Sequence, residues 1–140
     1  MCISVRNSLC LLLATALPAA LSSCHSDTPE QEAQKALVRA LTALSQGDAG
    51  AYLSLTDGYD EADSLHQAAY RLAAMQQHAL ETGRHGEGTT RTVVSRVEMA
   101  GDSAATAFYV SHFPDGDTLC GMQRLVHRGG QWKLAVGLRD

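Results

Sequence analysis

Four polar residues in the second half of the chain, Ser95, Thr106, Gln123 and His127, have side chains whose chemistry suits a binding site. Their hydroxyl, amide and imidazole groups donate and accept hydrogen bonds. If they share one otherwise apolar face of a sheet, they can fix the polar end of a small apolar or amphipathic ligand. Whether they share a face depends on the register of the strands that carry them.

Three turn signals at even spacing predict those strands. They are Gly101-Asp102, Asp115-Gly116 and Gly129-Gly130. The runs between them are rich in Val, Thr and aromatic residues, which indicates a four-stranded antiparallel meander. Two-residue turns would fix the register, because each turn then pairs the residues on either side of it.

This register places nearly all large apolar strand residues on one face, in four cross-strand rows. The rows are Val93-Val110-Gly121-Leu138, Ser95-Phe108-Gln123-Val136, Val97-Thr106-Leu125-Leu134 and Met99-Ala104-His127-Trp132. Ser95, Thr106, Gln123 and His127 then lie on the apolar face and are the predicted ligand-binding residues. The alternative is that they bond to one another and to helix groups, or lie at an exposed edge of the sheet.

Three helices are predicted before the strands, the first two within residues 28–55. Thr28-Pro29-Glu30-Gln31 has the residue types of a capping box with proline in the first turn. Apolar residues then recur at helical spacing from Ala33 to Leu44, and Gly47 ends the run. Asp48 begins a short second helix that continues to Leu55.

A third helix is predicted to begin near Asp60 or Asp63 and to end at Gly83. One of its faces is apolar, and we expect that face to be buried. The face comprises Leu65, Ala69, Leu72, Met75 or Gln76, and Ala79. Together, the helices and strands predict an α+β domain.

Cys24 follows a segment that contains one basic residue, Arg6, and the short apolar run LCLLLATAL, which is typical of a secretory signal peptide. Leu21-Ser22-Ser23-Cys24 resembles the lipobox of bacterial lipoproteins. The resemblance implies a diacylglyceryl thioether on Cys24 and a third acyl chain on its amino group, which together anchor a protein stably in a membrane. The expected division is a signal peptide (1–23), a lipidated cysteine with a short tether (24–28) and one domain (29–140).

The same resemblance implies a location in the cell envelope. Asp after the lipidated cysteine can retain lipoproteins at the inner membrane, whereas this chain has His25. We therefore expect the outer membrane, facing the periplasm, or the cell surface. The alternative is a secreted protein without lipid, cleaved at an Ala-x-Ala-like site, for which Leu17-Pro18-Ala19-Ala20-Leu21 is a poor template.

Net charge and cysteine usage exclude several classes of protein. Removal of residues 1–23 takes away Arg6 and no acid, so the formal net charge changes from -4 to -5. This acidic balance argues against nucleic acid as a partner. Cys2 and Cys10 leave with the signal peptide and Cys24 carries the lipid, so Cys120 has no partner for an intramolecular disulfide.

The segments LVRALTALSQGDAGAYLSL and GGQWKLAVGL resemble the cone-shaped superfamily typified by nuclear transport factor two. That superfamily includes isomerases, dehydratases, cyclases and many uncharacterised bacterial lipoproteins, and the chain most resembles the lipoproteins. The resemblance implies amino-terminal helices packed on a curved four-stranded antiparallel meander, with a pocket between helices and sheet.

Enzymatic function is not expected from these patterns. The isomerases of the superfamily use a carboxylate base with an acidic hydrogen-bond donor, and the predicted inner face holds no Asp or Glu. His112 and His127 are its only histidines, with no acid evident beside them. The histidines lack His-Glu-x-x-His spacing, so neither a metal site nor a cofactor is expected.

The opposite face of the predicted sheet carries Val94, Tyr109 and Met122 among arginines. We expect this apolar patch to pack against a second copy of the chain or another envelope protein. The overall prediction is a membrane-anchored lipoprotein with a non-catalytic binding domain. The alternatives are an isomerase or dehydratase that uses the pocket, and a purely structural module that self-associates.

Overall fold

Three helices precede a four-stranded sheet in the computed structural model, which describes residues 26–89 and 91–136. The elements are α1 Pro29–Ser45, α2 Ala49–Ser54, α3 Ser64–His85, β1 Arg91–Ala100, β2 Ala104–His112, β3 Thr118–Arg128 and β4 Gln131–Leu134. The strands pair antiparallel in the order β1-β2-β3-β4. The predicted α+β class and meander are confirmed, whereas the predicted signal peptide and Cys24 lie outside the described residues.

Local capping sets the start of each helix. The Gln31 backbone N–H donates to Thr28 Oγ1 at 3.3 Å, and the Gln31 side-chain oxygen Oε1 accepts from the Thr28 backbone N–H at 3.0 Å. The predicted capping box is therefore confirmed. Asp48 caps α2 and Asp63 caps α3 through backbone N–H groups. These caps satisfy donors that a helix start otherwise leaves without partners.

The core lies between α1 and the sheet and is rich in alanine. Ala33, Ala36 and Ala40 of α1 pack in one buried cluster with Ala105 and Ala107 of β2. Side chains this small let the helix and the strand approach closely. The larger members of the cluster lie around them: Leu37, Leu55, Leu125, Trp132 and Leu134.

The chain after α2 joins the helical half to the last strand. Thr56 forms a parallel bridge with Leu134 of β4. The Leu134 N–H donates to Leu55 O at 2.7 Å, and the Asp57 N–H donates to Leu134 O at 2.8 Å. Thr56 is fully buried, and its hydroxyl donates to Tyr52 O at 3.2 Å. The edge of β4 is therefore paired with backbone from the helical half.

Next to the turns, the register of β2 differs from the prediction by one residue, whereas beyond the bulge of β1 Val93 pairs with Val110 as predicted. The last hairpin has the predicted pairs, such as His127 with Trp132. The first turn contains three residues instead of two, because Ala100 pairs with Ala104. In the second hairpin, Ala104 pairs with Val126 and not with His127 as predicted. Each of the two loops that flank β2 is one residue longer than predicted, which shifts β2 relative to the adjoining parts of β1 and β3. Thr106 and Phe108 therefore do not lie on the core face.

The longer second loop has a packing cause. Phe113 turns into the protein and is 4% exposed. Its N–H donates to Asp117 O at 2.9 Å, and the Gly116 N–H donates to Phe113 O at 3.1 Å. The loop therefore contains residues 114–116 and closes at the pair Phe113 and Asp117. In the predicted register Phe113 would face outward, whereas the longer loop lets its side chain be buried.

The predicted buried face of α3 was wrong. The side chains on that face are largely exposed, including Leu65, Leu72 and Met75. The helix packs instead through Tyr70 and Ala74, which are buried. Tyr70 meets Tyr59 edge-on, with ring centroids 6.0 Å apart. Tyr59, which lies between α2 and α3, thus supplies an aromatic contact to α3. This contact buries a different side of the helix from the one that its amphipathic pattern predicts.

Gly121 provides the room that one core aromatic ring needs, which gives a stability prediction. A Cβ at this position would lie only 2.3 Å from Tyr109 Cζ. We expect Gly121→Ala to lower the free energy of unfolding by about 1–3 kcal/mol, because the rigid ring must move. Urea denaturation followed by circular dichroism measures the change.

Gly83→Ala is the matched control for that substitution. Gly83 lies within α3, and a Cβ there meets no atom within 4 Å. It should raise the free energy of unfolding by about 0.5–1 kcal/mol, because alanine restricts the unfolded chain. Equal effects of the two substitutions on the free energy of unfolding would show that the Tyr109 ring does not need the space that Gly121 leaves.

Candidate functional site

Two adjoining cavities lie where α1, α3 and the inner face of the sheet diverge. The small cavity is about 130 Å³ and is lined by Leu41, Leu44, Gln77, Glu81, Thr89, Tyr109, Ser111 and Leu119. The large cavity is about 430 Å³ and is lined by Gln77, Leu80, Glu81, Arg84, His85, Phe113, Asp117, Thr118 and Leu119. Because they share Gln77, Glu81 and Leu119, we treat them as one candidate site.

Tyr109 enters the small cavity because of the β2 register. Odd-numbered residues of β2 face α1, so Tyr109 follows Ala105 and Ala107 on the inner face. It pairs across the strands with Gly121, where the absence of a side chain leaves space for the ring. Ser111, the next inward residue, is buried and lines the same cavity.

Glu81 supplies a carboxylate to both cavities from α3. The Gln77 side-chain amide, one turn earlier on the helix, donates to Glu81 Oε1 at 2.9 Å. This bond holds the carboxylate and leaves Oε2 available as a hydrogen-bond acceptor. Sequence reasoning missed Glu81 because it assigned the opposite face of α3 to the core.

Two tyrosines remain protonated beside this carboxylate. Burial raises the pKa of the Tyr52 hydroxyl, and the charges of Tyr109 and Glu81 raise it further. Burial followed by the charge of Glu81 likewise raises the pKa of Tyr109. Both phenols are therefore hydrogen-bond donors at neutral pH. Tyr109 and Glu81 line the small cavity together with leucines, so this cavity combines polar groups with apolar walls.

A second polar cluster borders the large cavity. His85 Nδ1 lies 2.7 Å from Asp115 Oδ2 and 3.6 Å from Asp117 Oδ2. The imidazole ring stacks on Phe113, with centroids 3.7 Å apart and planes 17° from parallel. The pKa of Asp115 is lowered, first by the Asp117 backbone N–H and then by the hydrogen bond to His85. These three side chains are close enough to share one metal ion.

The structure does not bring the predicted ligand-binding residues together. Ser95 lies at a bulge of β1, is exposed, and donates to Phe108 O at 3.1 Å. Thr106 pairs with Glu98 and Arg124 on the outer face, so its predicted inward position was wrong because of the β2 register.

Gln123 and His127 lie on the inner face as predicted but have local partners. The Gln123 amide donates to Arg124 O at 2.8 Å and to Ala135 O at 3.1 Å. The His127 ring packs against Trp132, with centroids 5.2 Å apart. Among the residues that the structure describes, none of the four predicted ligand-binding residues lines the small or the large cavity.

The predicted interface patch is also divided between the two faces of the sheet. Met122 is 63% exposed on the outer face. Val94 and Tyr109 instead pack against the core, so their predicted outward positions were wrong. The bulge after Val94 and the shifted register of β2 are the physical reasons. On the outer face, the Arg96 guanidinium lies 4.3 Å above the Phe108 ring.

Comparison with known proteins identifies the architecture. No protein-family model matches the sequence, and no curated protein matches it. Ten chains of solved structures match. Among them is a Campylobacter jejuni protein described provisionally as an NTF2-like transpeptidase, with a TM-score of 0.60 and 15% identity. The match covers 74% of this chain and 97% of the other. The chain has an NTF2-like fold.

The two cavities of this NTF2-like domain lie between helices and sheet. That is where the family resemblance implied a pocket, although different residues line it. At 15% identity the likeness concerns the fold alone, so the chemistry of the site rests on the residues described above. No helix within residues 26–89 or 91–136 combines the length and hydropathy needed to cross a bilayer.

The raised pKa values of Tyr52 and Tyr109 predict how stability depends on alkaline pH. A folded state that holds the phenol proton more tightly is favoured below the unfolded pKa of about 10. The free energy of unfolding should therefore fall as pH rises above about 10, until both phenols are ionised. Urea denaturation across this range should show the fall, and Tyr109→Phe should reduce it.

Glu81→Gln tests the electrostatic part of the same prediction. Removing this negative charge should move the ultraviolet titration of the two tyrosines to lower pH. Glu87→Gln, an exposed position, is the matched control and should leave the titration unchanged. Identical titration curves for both variants would show that Glu81 does not act on the tyrosines.

Proposed function

We propose that this protein is a lipid-anchored envelope protein whose NTF2-like domain binds a small amphipathic molecule. The observation that carries the proposal is the combination of Glu81 with Tyr109 at one end of a leucine-walled cavity. Ligand sites are mostly apolar, with a few polar groups that fix orientation. The NTF2-like fold supports this reading because it provides a cavity between helices and sheet.

The polar groups indicate which end of a ligand enters the small cavity. An ionised carboxylate only accepts hydrogen bonds, so Glu81 favours a hydroxyl or ammonium group over an anion. Tyr109 and Ser111 can donate to or accept from the same group. The large cavity, at about 430 Å³, lies within the usual size range of ligand pockets and can hold the remainder of the molecule, with its apolar part against Leu80, Phe113 and Leu119.

Lipid anchoring would place this site close to its ligand. The described chain begins at Ser26, two residues after Cys24, and α1 begins at Pro29. Five extended residues span at most about 18 Å, so a lipid on Cys24 would hold the domain near the bilayer. Amphipathic molecules concentrate at such surfaces, which raises their local concentration around the cavities.

Native mass spectrometry of residues 26–140, purified without denaturant, tests ligand binding. We expect an added mass that is released when the protein unfolds. Glu81→Gln should reduce the retained fraction by more than about tenfold, because a buried donor of the ligand loses its charged acceptor. Glu87→Gln should retain as much as the parent. A parent protein without added mass, or equal retention by Glu81→Gln, contradicts the proposal.

Proton-transfer catalysis is a second candidate, favoured by the placement of a carboxylate beside two protonated tyrosines. Glu81 would remove a proton, and a phenol would donate to the developing oxyanion. Incubation of the identified ligand with the protein separates the two functions. Conversion that Glu81→Gln abolishes would establish an enzyme, whereas unchanged ligand supports binding alone.

Lipidation is tested by metabolic labelling with palmitate in a bacterial host. The intact chain should carry the label and sediment with membranes. Cys24→Ala should lose both, because the thiol that accepts the lipid is gone. Cys120→Ala is the matched control, since Cys120 is exposed and free, and it should remain labelled. Label that persists in Cys24→Ala would place the modification elsewhere.

A further inference from the structure

We propose that His85, Asp115 and Asp117 bind a divalent transition-metal ion, with Zn²⁺ as the best match, at the rim of the large cavity. One imidazole nitrogen and two carboxylate oxygens are all donors that Zn²⁺ accepts. In the structure these ligand atoms all lie within 4.8 Å of one another. The site is independent of the lipid anchor and of the ligand proposed for the small cavity.

The distances suit a tetrahedral ion. Ligand atoms about 2.0–2.1 Å from a tetrahedral Zn²⁺ are about 3.3 Å apart. His85 Nδ1 lies 2.7 Å from one carboxylate oxygen and 3.6 Å from the other. These two distances lie on either side of the tetrahedral value, and the two carboxylate oxygens lie within 4.8 Å of each other, so side-chain adjustment of less than about 2 Å would bring all three atoms to ligating separation.

The hydrogen bond between His85 and Asp115 does not account for the position of the Asp117 carboxylate. A ring nitrogen carries at most one proton, and the shorter contact to Asp115 uses it. Asp117 then faces the same nitrogen while lying beside the negative charge of Asp115. Two carboxylates whose oxygens lie within 4.8 Å of each other repel, and a bound cation reduces that repulsion. A divalent ion would neutralise both.

Two of the three ligand side chains, and the backbone that carries the third, are held before any ion binds. The His85 ring is fixed by its stack on Phe113. Asp115 Oδ1 accepts the Asp117 N–H at 2.9 Å, which orients that carboxylate. Phe113 and Asp117 also close the loop through their backbone. Ligands positioned in this way by neighbouring groups lose little freedom on binding the metal.

The ion would have a coordination position facing the large cavity. His85 and Asp117 both line that cavity, whereas Asp115 approaches from the loop. Zinc sites with three protein ligands keep the fourth position for water or a ligand. Glu81 lies one helical turn before His85 on α3 and lines the same cavity, so both polar groups of α3 would face one space.

Isothermal titration calorimetry of the full-length chain in mild detergent, stripped of metal with chelator, tests the site. ZnCl₂ should bind with one ion per chain, and Co²⁺ should give the visible absorption bands of a tetrahedral complex. Absence of Zn²⁺ heat and of Co²⁺ bands up to millimolar metal would overturn the proposal, leaving His85 and Asp115 as a hydrogen-bonded pair only.

Asp117→Asn is the decisive variant, because its side chain is 72% exposed and the backbone bonds of the loop do not need its carboxylate. It should weaken Zn²⁺ binding by more than about tenfold while leaving the melting temperature of the metal-free protein unchanged. Asp102→Asn, at an exposed turn, should bind Zn²⁺ like the parent. Binding that survives both Asp117→Asn and His85→Gln would place the ion elsewhere and refute the assignment.

Discussion

Close contact between the alanines of α1 and those of β2 is the constraint on which the rest of the domain depends. With Ala33, Ala36 and Ala40 on the helix, the space above β2 accepts Ala105 and Ala107. It leaves no room for Thr106 and Phe108, since overpacking a close contact is destabilising. The register of β2 follows from this fit. Tyr109 and Ser111 consequently enter the cavity, and Phe108 lies outside beneath Arg96.

Features that depend on neighbouring residues were predictable from the sequence. The Thr28 capping box, the Asp48 and Asp63 caps and the Gly129-Gly130 hairpin all involve groups within a few residues of one another. Their geometry is set by local hydrogen bonds and backbone preferences. The α+β class followed from the order of these elements along the chain.

Features that depend on distant packing were not predictable. The length of the β2–β3 loop is decided by burial of Phe113, which no turn rule includes. The buried side of α3 is decided by the contact of Tyr70 with Tyr59, although the helix is more apolar on the opposite side. Both errors have one cause, because hydrophobic pattern predicts how much a segment can bury and not which partner it meets.

The candidate site combines residues that sequence motifs do not relate. Glu81 and His85 share a helix, but Asp115 and Asp117 come from a hairpin 30 residues later than His85. A search for ligand spacing within one helix cannot detect such a set. Similarly, the acid that the predicted inner face of the sheet lacked is supplied by α3. The site therefore could not be predicted without knowing how α3 and the β2–β3 hairpin lie relative to each other.

The bridge between Thr56 and Leu134 also has a consequence for the order of folding. It links the segment after α2 to the final strand, between positions 78 residues apart in the sequence. Contacts between positions so distant in sequence form late, because the intervening chain must first lose its conformational freedom. During synthesis, the helical half emerges without its pairing strand, and the polar backbone around Leu55 and Asp57 stays hydrated until β4 arrives. We therefore expect completion of the sheet and closure of the helical half to be a single cooperative event.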